Sequence, residues 1–220
     1  MIDKSDVTNL PLDTITELGS TLISFCQVHG NAKLVMWKSD VSQAYRRMPM
    51  HKRWQMKQIH TIEGERHVDR CNNFGGKGGY GIWSVFMSLI AWIGWHIMTI
   101  RFFVYVDDNF SFERAEAYVF HTQLDRQLPL QQARLLDLWD EIGLPYENKK
   151  QEWGPSLCII GFEVDPNAMT VTIPDDACQK FLARIAQFLN ITGTNHRCTL
   201  HKFQSLASYA NWAFNVYPLG

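Results

Sequence analysis

The sequence has almost no net charge, no closely spaced pair of cysteines and no signal-peptide pattern in its first residues. Its 220 residues carry 21 Lys and Arg against 22 Asp and Glu, so it has none of the basic excess that most autonomous nucleic-acid-binding domains show. The five cysteines are scattered without a CxxC pair, which argues against a disulfide framework and favours a reducing compartment. The first residues resemble no signal peptide, so we expect an intracellular protein that is not secreted.

Repeats, low-complexity stretches and Ser/Gly-rich linkers are also missing. Hydrophobic residues make up 46% and charged residues 20% of the chain, a composition typical of an ordinary globular protein. The length suits one large domain, or one domain with a small appendage.

Residues 78–100 contain no Asp, Glu, Lys or Arg. A segment of this length could cross a bilayer. However, polar residues interrupt it, and a strand that ends in two aspartates follows at once. We therefore expect a buried core helix packed behind a sheet, with Trp83, Trp92 and Trp95 in the core, and no membrane partner.

The remaining pattern predicts a mixed α+β fold followed by a helical tail. Helical spacing is expected over 12–28, 114–128, 130–142, 175–189 and 200–216, with Asp13 or Thr14, Gly30 and Gly143 as caps. Strand patterns cover 33–41, 54–62, 65–71, 101–112, 157–164 and 169–173, and a glycine-dense loop covers 74–81.

Three aspartates follow apolar strands. Asp107 and Asp108 are turn formers after a strand, and Asp40 ends another strand. Carboxylates in such a cluster resist ionisation unless cations compensate their repulsion. Hard cations such as Mg²⁺ prefer carboxylate oxygens, and a two-metal site for nucleotidyl transfer places its ions about 3.5–4 Å apart. These residues therefore predict a site for two Mg²⁺ or Mn²⁺ ions.

Two motifs resemble those of reverse transcriptases. Tyr105-Val106-Asp107-Asp108 is similar to the YxDD signature of that family, and Asp40 with Tyr45 five residues later resembles its first catalytic motif. The resemblance implies that Asp40, Asp107 and Asp108 are catalytic and bind the two metal ions together with Val41. It also implies that the Tyr45 ring excludes the 2′-hydroxyl of ribonucleotides.

Further positions extend the resemblance along most of the chain, most closely to retrotransposons of the tyrosine-recombinase type. By resemblance Phe74, Gly75, Lys77, Lys149 and Lys150 lie near the nucleotide. Ile160, Gly161 and Phe162 resemble the turn that grips the primer, and 200–212 resembles the helix that ends the polymerase segment.

The family implies an RNA-directed DNA polymerase that adds dNTPs to the 3′-hydroxyl of an RNA/DNA template-primer. Its fold would be an α+β palm with partial fingers over 1–173 and a helical, thumb-like subdomain over 174–220. The family's basic finger motif has no match, because only Lys4 and Lys33 are available. A second subunit, or separate fingers and ribonuclease H segments, would then complete the enzyme.

Two alternatives remain open. The chain could be a catalytically idle palm that binds nucleic acid or protein. It could also be a Mg²⁺-diphosphate enzyme of the terpene-cyclase type, in which Asp107, Asp108 and Glu113 would lie on helices.

Overall fold

The computed structural model describes residues 12–30, 32–73, 78–190 and 198–217. The helices are α1 (Ile15–His29), α2 (Lys52–Gln55), α3 (Gly79–His96), α4 (Leu130–Ile142), α5 (Asp175–Asn190) and α6 (Leu200–Ala213). The strands are β1 (Leu34–Asp40), β2 (Ile59–Ile62), β3 (Glu65–Val68), β4 (Phe103–Tyr105), β5 (Asp108–Arg114), β6 (Tyr118–His121), β7 (Arg126–Pro129), β8 (Glu152–Gly154), β9 (Leu157–Ile159), β10 (Phe162–Asp165) and β11 (Thr170–Thr172). Short 3₁₀ turns lie at Ala44–Arg47 and Asn148–Lys150.

A four-stranded antiparallel sheet in the order β4-β5-β1-β8 forms the centre of the protein. The pairing of β1 with β5 runs from Leu34 opposite Arg114 to Asp40 opposite Asp108. Strand β1 opens with four consecutive buried apolar residues because both faces of the sheet are covered. The mixed α+β class predicted from the sequence is confirmed.

Each face of this sheet carries its own core. Leu34, Met36 and Phe110 pack with α1 and with the small sheet β11-β10-β9. On the opposite face Trp37 packs with buried residues of α3 and α4. Helix α4 is also bonded to β1, because the Gln132 amide donates to the Lys38 carbonyl at 3.0 Å.

Helix α1 begins and ends as its sequence predicts. Thr14 is the N-cap and forms a capping box with Glu17, and Gly30 ends the helix at φ +65°. The neighbouring Asp13 carboxylate accepts a hydrogen bond from the Val104 N–H at 2.7 Å, which joins the start of α1 to β4.

Helix α3 packs behind the sheet, but only one of its faces is buried. Trp83, Met87 and Ile90 lie in the core, whereas Val85, Leu89 and Trp92 are more than half exposed. Trp92 and Trp95 are therefore exposed, so the prediction that they lie in the core was wrong, whereas Trp83 is a core residue as expected. Within the described ranges, no helix is long and apolar enough to cross a membrane.

The predicted helix over 114–128 is wrong, because the chain forms the hairpin β6–β7 there. The β-forming run at Tyr118–His121 prevails over the helical spacing of the apolar residues. The helix starts only at Leu130, after Pro129, and its C-cap is Gly143 as expected.

Two predicted strands are divided in the structure. The first part of 54–62 belongs to the short helix α2, and pairing with β3 begins at Ile59. Residues 157–164 form two strands, β9 and β10, joined by a tight turn at Ile160 and Gly161. The hairpin that joins β10 to β11 lies where it was predicted.

Helices α5 and α6 form at the predicted positions and contact each other. Trp212 of α6 stacks on Phe162 of β10, with ring centroids 4.7 Å apart. A boundary between subdomains at 173/174 stays a prediction.

Glu113 on β5 acts as a remote cap for α4. The helix begins after Pro129, which offers no side-chain cap, and the Glu113 carboxylate instead accepts a hydrogen bond from the Gln131 N–H at 2.9 Å. Burial raises the pKa of this carboxyl group from 4.5 to about 7.

We expect Glu113 to make the protein less stable as pH rises. Between pH 4.5 and about 7 the folded chain keeps a proton that the unfolded chain has lost, so the free energy of unfolding falls across this window. Glu113→Gln keeps an acceptor and cannot ionise. It should remove up to about 3 kcal/mol of this decline, measured by urea denaturation at several pH values.

The matched control is the exposed Glu116→Gln, which should retain the pH dependence of the wild type. The same decline in Glu113→Gln and in the wild type would contradict the assignment.

Candidate active site

Asp40 and Asp108 lie directly opposite each other at the ends of β1 and β5. The Val41 N–H donates to the Asp107 carbonyl at 3.4 Å, so residues 41 and 107 form a hydrogen-bonded pair. The neighbouring pair, Asp40 and Asp108, is then of the non-hydrogen-bonded type, in which side chains approach most closely, with Cβ atoms about 4.5–5.5 Å apart. Asp40 and Asp108 therefore lie side by side at one end of the two central strands.

Asp107 lies in the tight turn between β4 and β5. Val106 in this turn has φ +60°, a strained conformation for a β-branched residue. The Trp83 indole N–H donates to the Val106 carbonyl at 2.7 Å, and the Asn109 amide donates to the Asp107 carbonyl at 3.0 Å. Since Asp107 and Asp108 lie on a hairpin and not on a helix, the terpene-cyclase interpretation is wrong.

The electrostatics of the cluster reflect burial and mutual repulsion. Burial raises the pKa of Asp107 and of Asp108, and the like charge of Asp40 raises both further. The Lys38 ammonium lowers the pKa of Asp108 in opposition. Lys150 forms an ion pair with Asp40, with 3.1 Å between Nζ and Oδ1, and this contact raises the pKa of Lys150.

The carboxylates suit a hard cation, but they do not converge fully. Among the described residues, the three side chains of ligand type whose ligand atoms all lie within 4.8 Å of one another are elsewhere, at His121, Asp137 and Asp140. Asp40 lies opposite Asp108, Asp107 lies in the adjoining turn, and the charge of Asp40 raises the pKa of both other aspartates. Bound cations relieve mutual repulsion of this kind. Val41 can offer only its backbone carbonyl. Metal binding by these four residues stays a prediction.

Tyr45 lies next to this cluster, in the 3₁₀ turn after β1. Its ring packs edge-to-face against Trp83 at 6.2 Å between centroids. Burial first, and then the charge of Asp107, raises the pKa of the Tyr45 phenol. The ring is therefore close to the same hairpin tip as the carboxylates.

The turn predicted to grip a primer has an unusual conformation. Ile160 and Gly161 have φ of +51° and +84°, which describes a two-residue hairpin turn of the I′ type. The Trp212 indole N–H donates to the Ile160 carbonyl at 3.4 Å, and a Cβ on Gly161 would meet the Trp212 ring at 3.3 Å. Phe162 is buried and serves the core.

Other predicted positions are less informative. Lys149 is exposed, next to Lys150 in the 3₁₀ turn. Phe74, Gly75 and Lys77 lie outside the described residues.

Sequence reasoning missed several residues that build the site. Lys38 lies two positions before Asp40 and so faces the same side of β1, a signal that strand periodicity could have revealed. Gln132 and Trp212 lie on distant helices and carry no local signal of their roles.

Solved structures of a viral enzyme resemble the chain. The foamy viral protease-reverse transcriptase in complex with an RNA/DNA hybrid has a TM-score of 0.58 and 19% identity over 81% of this chain. The foamy viral protein in complex with dsDNA has a TM-score of 0.57 and 20% identity over 81% of this chain. A dRH form in complex with dsDNA has a TM-score of 0.59 and 17% identity over 94% of this chain. Neither the models of protein families nor the curated proteins include a match to the sequence.

These likenesses show a reverse-transcriptase-like fold. The chain spans between 21% and 32% of the length of the structures that it resembles. The likeness does not extend to a particular type of retrotransposon.

We expect the Trp83 hydrogen bond to hold the turn that carries Asp107. Trp83→Phe leaves the Val106 carbonyl without this donor and should lower the free energy of unfolding by about 1–3 kcal/mol. Trp92→Phe, on the exposed face of the same helix, should change it by less than about 0.5 kcal/mol. Urea denaturation compares the two, and equal losses would refute the role of the hydrogen bond.

Proposed function

We propose that this chain is the catalytic palm of a polymerase that transfers dNTPs to the 3′-hydroxyl of a template-primer. The observation that carries the proposal is the placement of Asp40 opposite Asp108, with Asp107 in the adjoining turn. Like charges directly opposite each other on paired strands destabilise a sheet, so their presence here favours a functional role over a structural one. The reverse-transcriptase-like fold supports the same function.

In this proposal Asp40, Asp107 and Asp108 hold two Mg²⁺ or Mn²⁺ ions with the Val41 carbonyl. Bound metal would activate the attacking hydroxyl and neutralise the triphosphate. Lys150 forms an ion pair with Asp40, so its ammonium group is close enough to contact a phosphate once the Asp40 carboxylate binds a cation. Lys149 and Lys150 are the proposed triphosphate contacts.

The proposed path of the nucleic acid crosses the sheet face that carries Lys38, Asp40 and Asp108. The turn at Ile160 and Gly161 belongs to the small sheet packed on that face, and it would contact the primer strand. The similar structures of the foamy viral protein are complexes with an RNA/DNA hybrid or with dsDNA, which supports nucleic acid as the ligand class. A retrotransposon of the tyrosine-recombinase type is the proposed origin.

A catalytically idle palm that binds nucleic acid is the second candidate. It is favoured by the ion pair between Lys150 and Asp40, in which an internal cation occupies part of the cluster. It is also favoured by the spacing of Asp40, Asp107 and Asp108, whose carboxylate oxygens do not all lie within 4.8 Å of one another as the ligand atoms at His121, Asp137 and Asp140 do.

Primer extension separates the two candidates. With a DNA primer on an RNA template, we expect Mg²⁺-dependent incorporation that Asp108→Asn or Asp40→Asn reduces by at least about 100-fold, equivalent to about 2.7 kcal/mol. The reason is that an amide binds a hard cation far less well than a carboxylate. Glu116→Gln, an exposed substitution of the same kind, should retain full activity.

Incorporation that persists in both aspartate variants would contradict the assignment. Binding of the template-primer without incorporation, in a folded wild-type chain, would support the idle palm instead.

Tyr45 should set the choice of sugar. A ring packed beside the incoming nucleotide clashes with a 2′-hydroxyl, and removal of the ring relieves the clash. We expect Tyr45→Val to raise ribonucleotide incorporation relative to deoxyribonucleotide by one to three orders of magnitude, about 1.4–4 kcal/mol. Single-nucleotide kinetics measure the ratio, and Tyr45→Phe is the control that should leave it unchanged. An unchanged ratio in Tyr45→Val would show that Tyr45 is only a core aromatic.

A further inference from the structure

A second cluster of ligand-type side chains lies outside the proposed active site. His121 ends β6, and Asp137 and Asp140 lie three residues apart on α4. One ligand atom from each of these residues lies within 4.8 Å of the other two. Side chains three apart on a helix face the same side, so both carboxylates are directed toward the hairpin that carries the histidine.

His121 is the buried member of this group. Its side chain is only 3% exposed, and its Nε2 atom has no hydrogen-bond partner among the described residues. The nearest carboxylate oxygen, Asp137 Oδ1, lies 3.6 Å from Nε2, which is too far for a hydrogen bond. A buried polar atom without a partner is costly, and here that atom faces two carboxylates.

Asp140 is held in place by a neighbour. The Tyr146 hydroxyl donates to Asp140 Oδ2 at 2.9 Å, and the Gln123 side-chain oxygen lies 3.4 Å from the same hydroxyl. Outer contacts of this kind orient the ligating carboxylates of metal sites.

We propose that His121, Asp137 and Asp140 form a binding site for a divalent transition metal of the Zn²⁺ class. One imidazole nitrogen with two carboxylate oxygens suits a borderline cation better than Mg²⁺ or Ca²⁺, which prefer oxygen ligands alone. Asp137 is largely exposed, which gives the ion a path from solvent and leaves room for water as a fourth ligand.

Metal binding requires one change at the imidazole. In the metal-free state the Leu124 N–H donates to Nδ1 at 3.3 Å, so the neutral ring carries its hydrogen on Nε2. A metal takes the Nε2 lone pair, and the ring hydrogen moves to Nδ1. The long contact from Leu124 is then given up, and no net proton is gained or lost by the ring.

Such an ion would fix the hairpin β6–β7 to α4 behind the proposed active site. Tyr146, which orients Asp140, pairs through its backbone with Val41, the residue after Asp40. Arg126 of the same hairpin donates to the Gln151 carbonyl at 2.8 Å, next to Lys150. The site is thus linked by two short routes to residues of the proposed catalytic cluster.

Zinc titration of the whole chain tests the proposal. Calorimetry in excess Mg²⁺, which competes for the all-carboxylate cluster, should show one tight Zn²⁺ equivalent, and excess Zn²⁺ should raise Tm by about 5 °C. Asp137→Asn and Asp140→Asn should each weaken this binding at least about tenfold. Glu141→Gln, the neighbouring exposed carboxylate on α4, is the matched control and should bind as the wild type does.

Co²⁺ serves as a spectroscopic probe of the ligands. An imidazole and two carboxylates should give visible bands without the near-ultraviolet charge transfer of a thiolate, although the chain has five cysteines. Thiolate bands from the tight equivalent, or unchanged zinc affinity in Asp137→Asn and Asp140→Asn, would overturn the proposal. If the wild type bound no Zn²⁺ tightly, the contact between His121 and Asp137 would be only an ion pair, and the proposal would also be overturned. Because Asp137 is largely exposed and Asp140 is partly exposed, their variants should fold, and the test needs no substitution of the buried His121.

Discussion

The repulsion between Asp40 and Asp108 is the constraint around which the rest of this structure is arranged. The pairing of β1 with β5 places Asp40 directly opposite Asp108, in the type of pair in which the backbones of two strands approach most closely. Burial is the largest cause of the raised pKa values of Asp107 and Asp108, and the charge of Asp40 raises both further. Lys38 and Lys150 compensate part of it from β1 and from the 3₁₀ turn. Added cations would relieve the repulsion that remains, which is the physical basis of the proposed function.

The scaffold around the cluster resists that repulsion. Gln132 ties α4 to the backbone of β1, and Trp83 ties α3 to the turn that carries Asp107. Val106 and Ile160, two non-glycine residues with positive φ, each have a carbonyl that accepts a hydrogen bond from a tryptophan indole. Strain at such positions persists only where neighbours hold the backbone in place. The two turns thus have the same kind of support from different helices.

Sequence patterns located the elements that carry the aspartates, because β1 and the hairpin β4–β5 are short apolar runs with strong turn residues at their ends. The α+β class, the caps of α1 and the C-cap of α4 followed from equally local signals. The hairpin β6–β7 was missed because its apolar residues fit a helical spacing as well as a strand. The exposed face of α3 was missed because an absence of charge does not reveal burial. Lys38 was within reach of strand periodicity, whereas Gln132, Trp212 and the cluster at His121 depend on contacts between elements far apart in sequence.

Anomalous X-ray scattering from crystals soaked with Mn²⁺ and a non-hydrolysable dNTP tests the central claim most directly. The account predicts two peaks about 3.5–4 Å apart between Asp40, Asp107 and Asp108, with Lys150 displaced from Asp40 toward the triphosphate. Density at His121 alone, or an unaltered ion pair between Lys150 and Asp40 at saturating Mn²⁺, would contradict it.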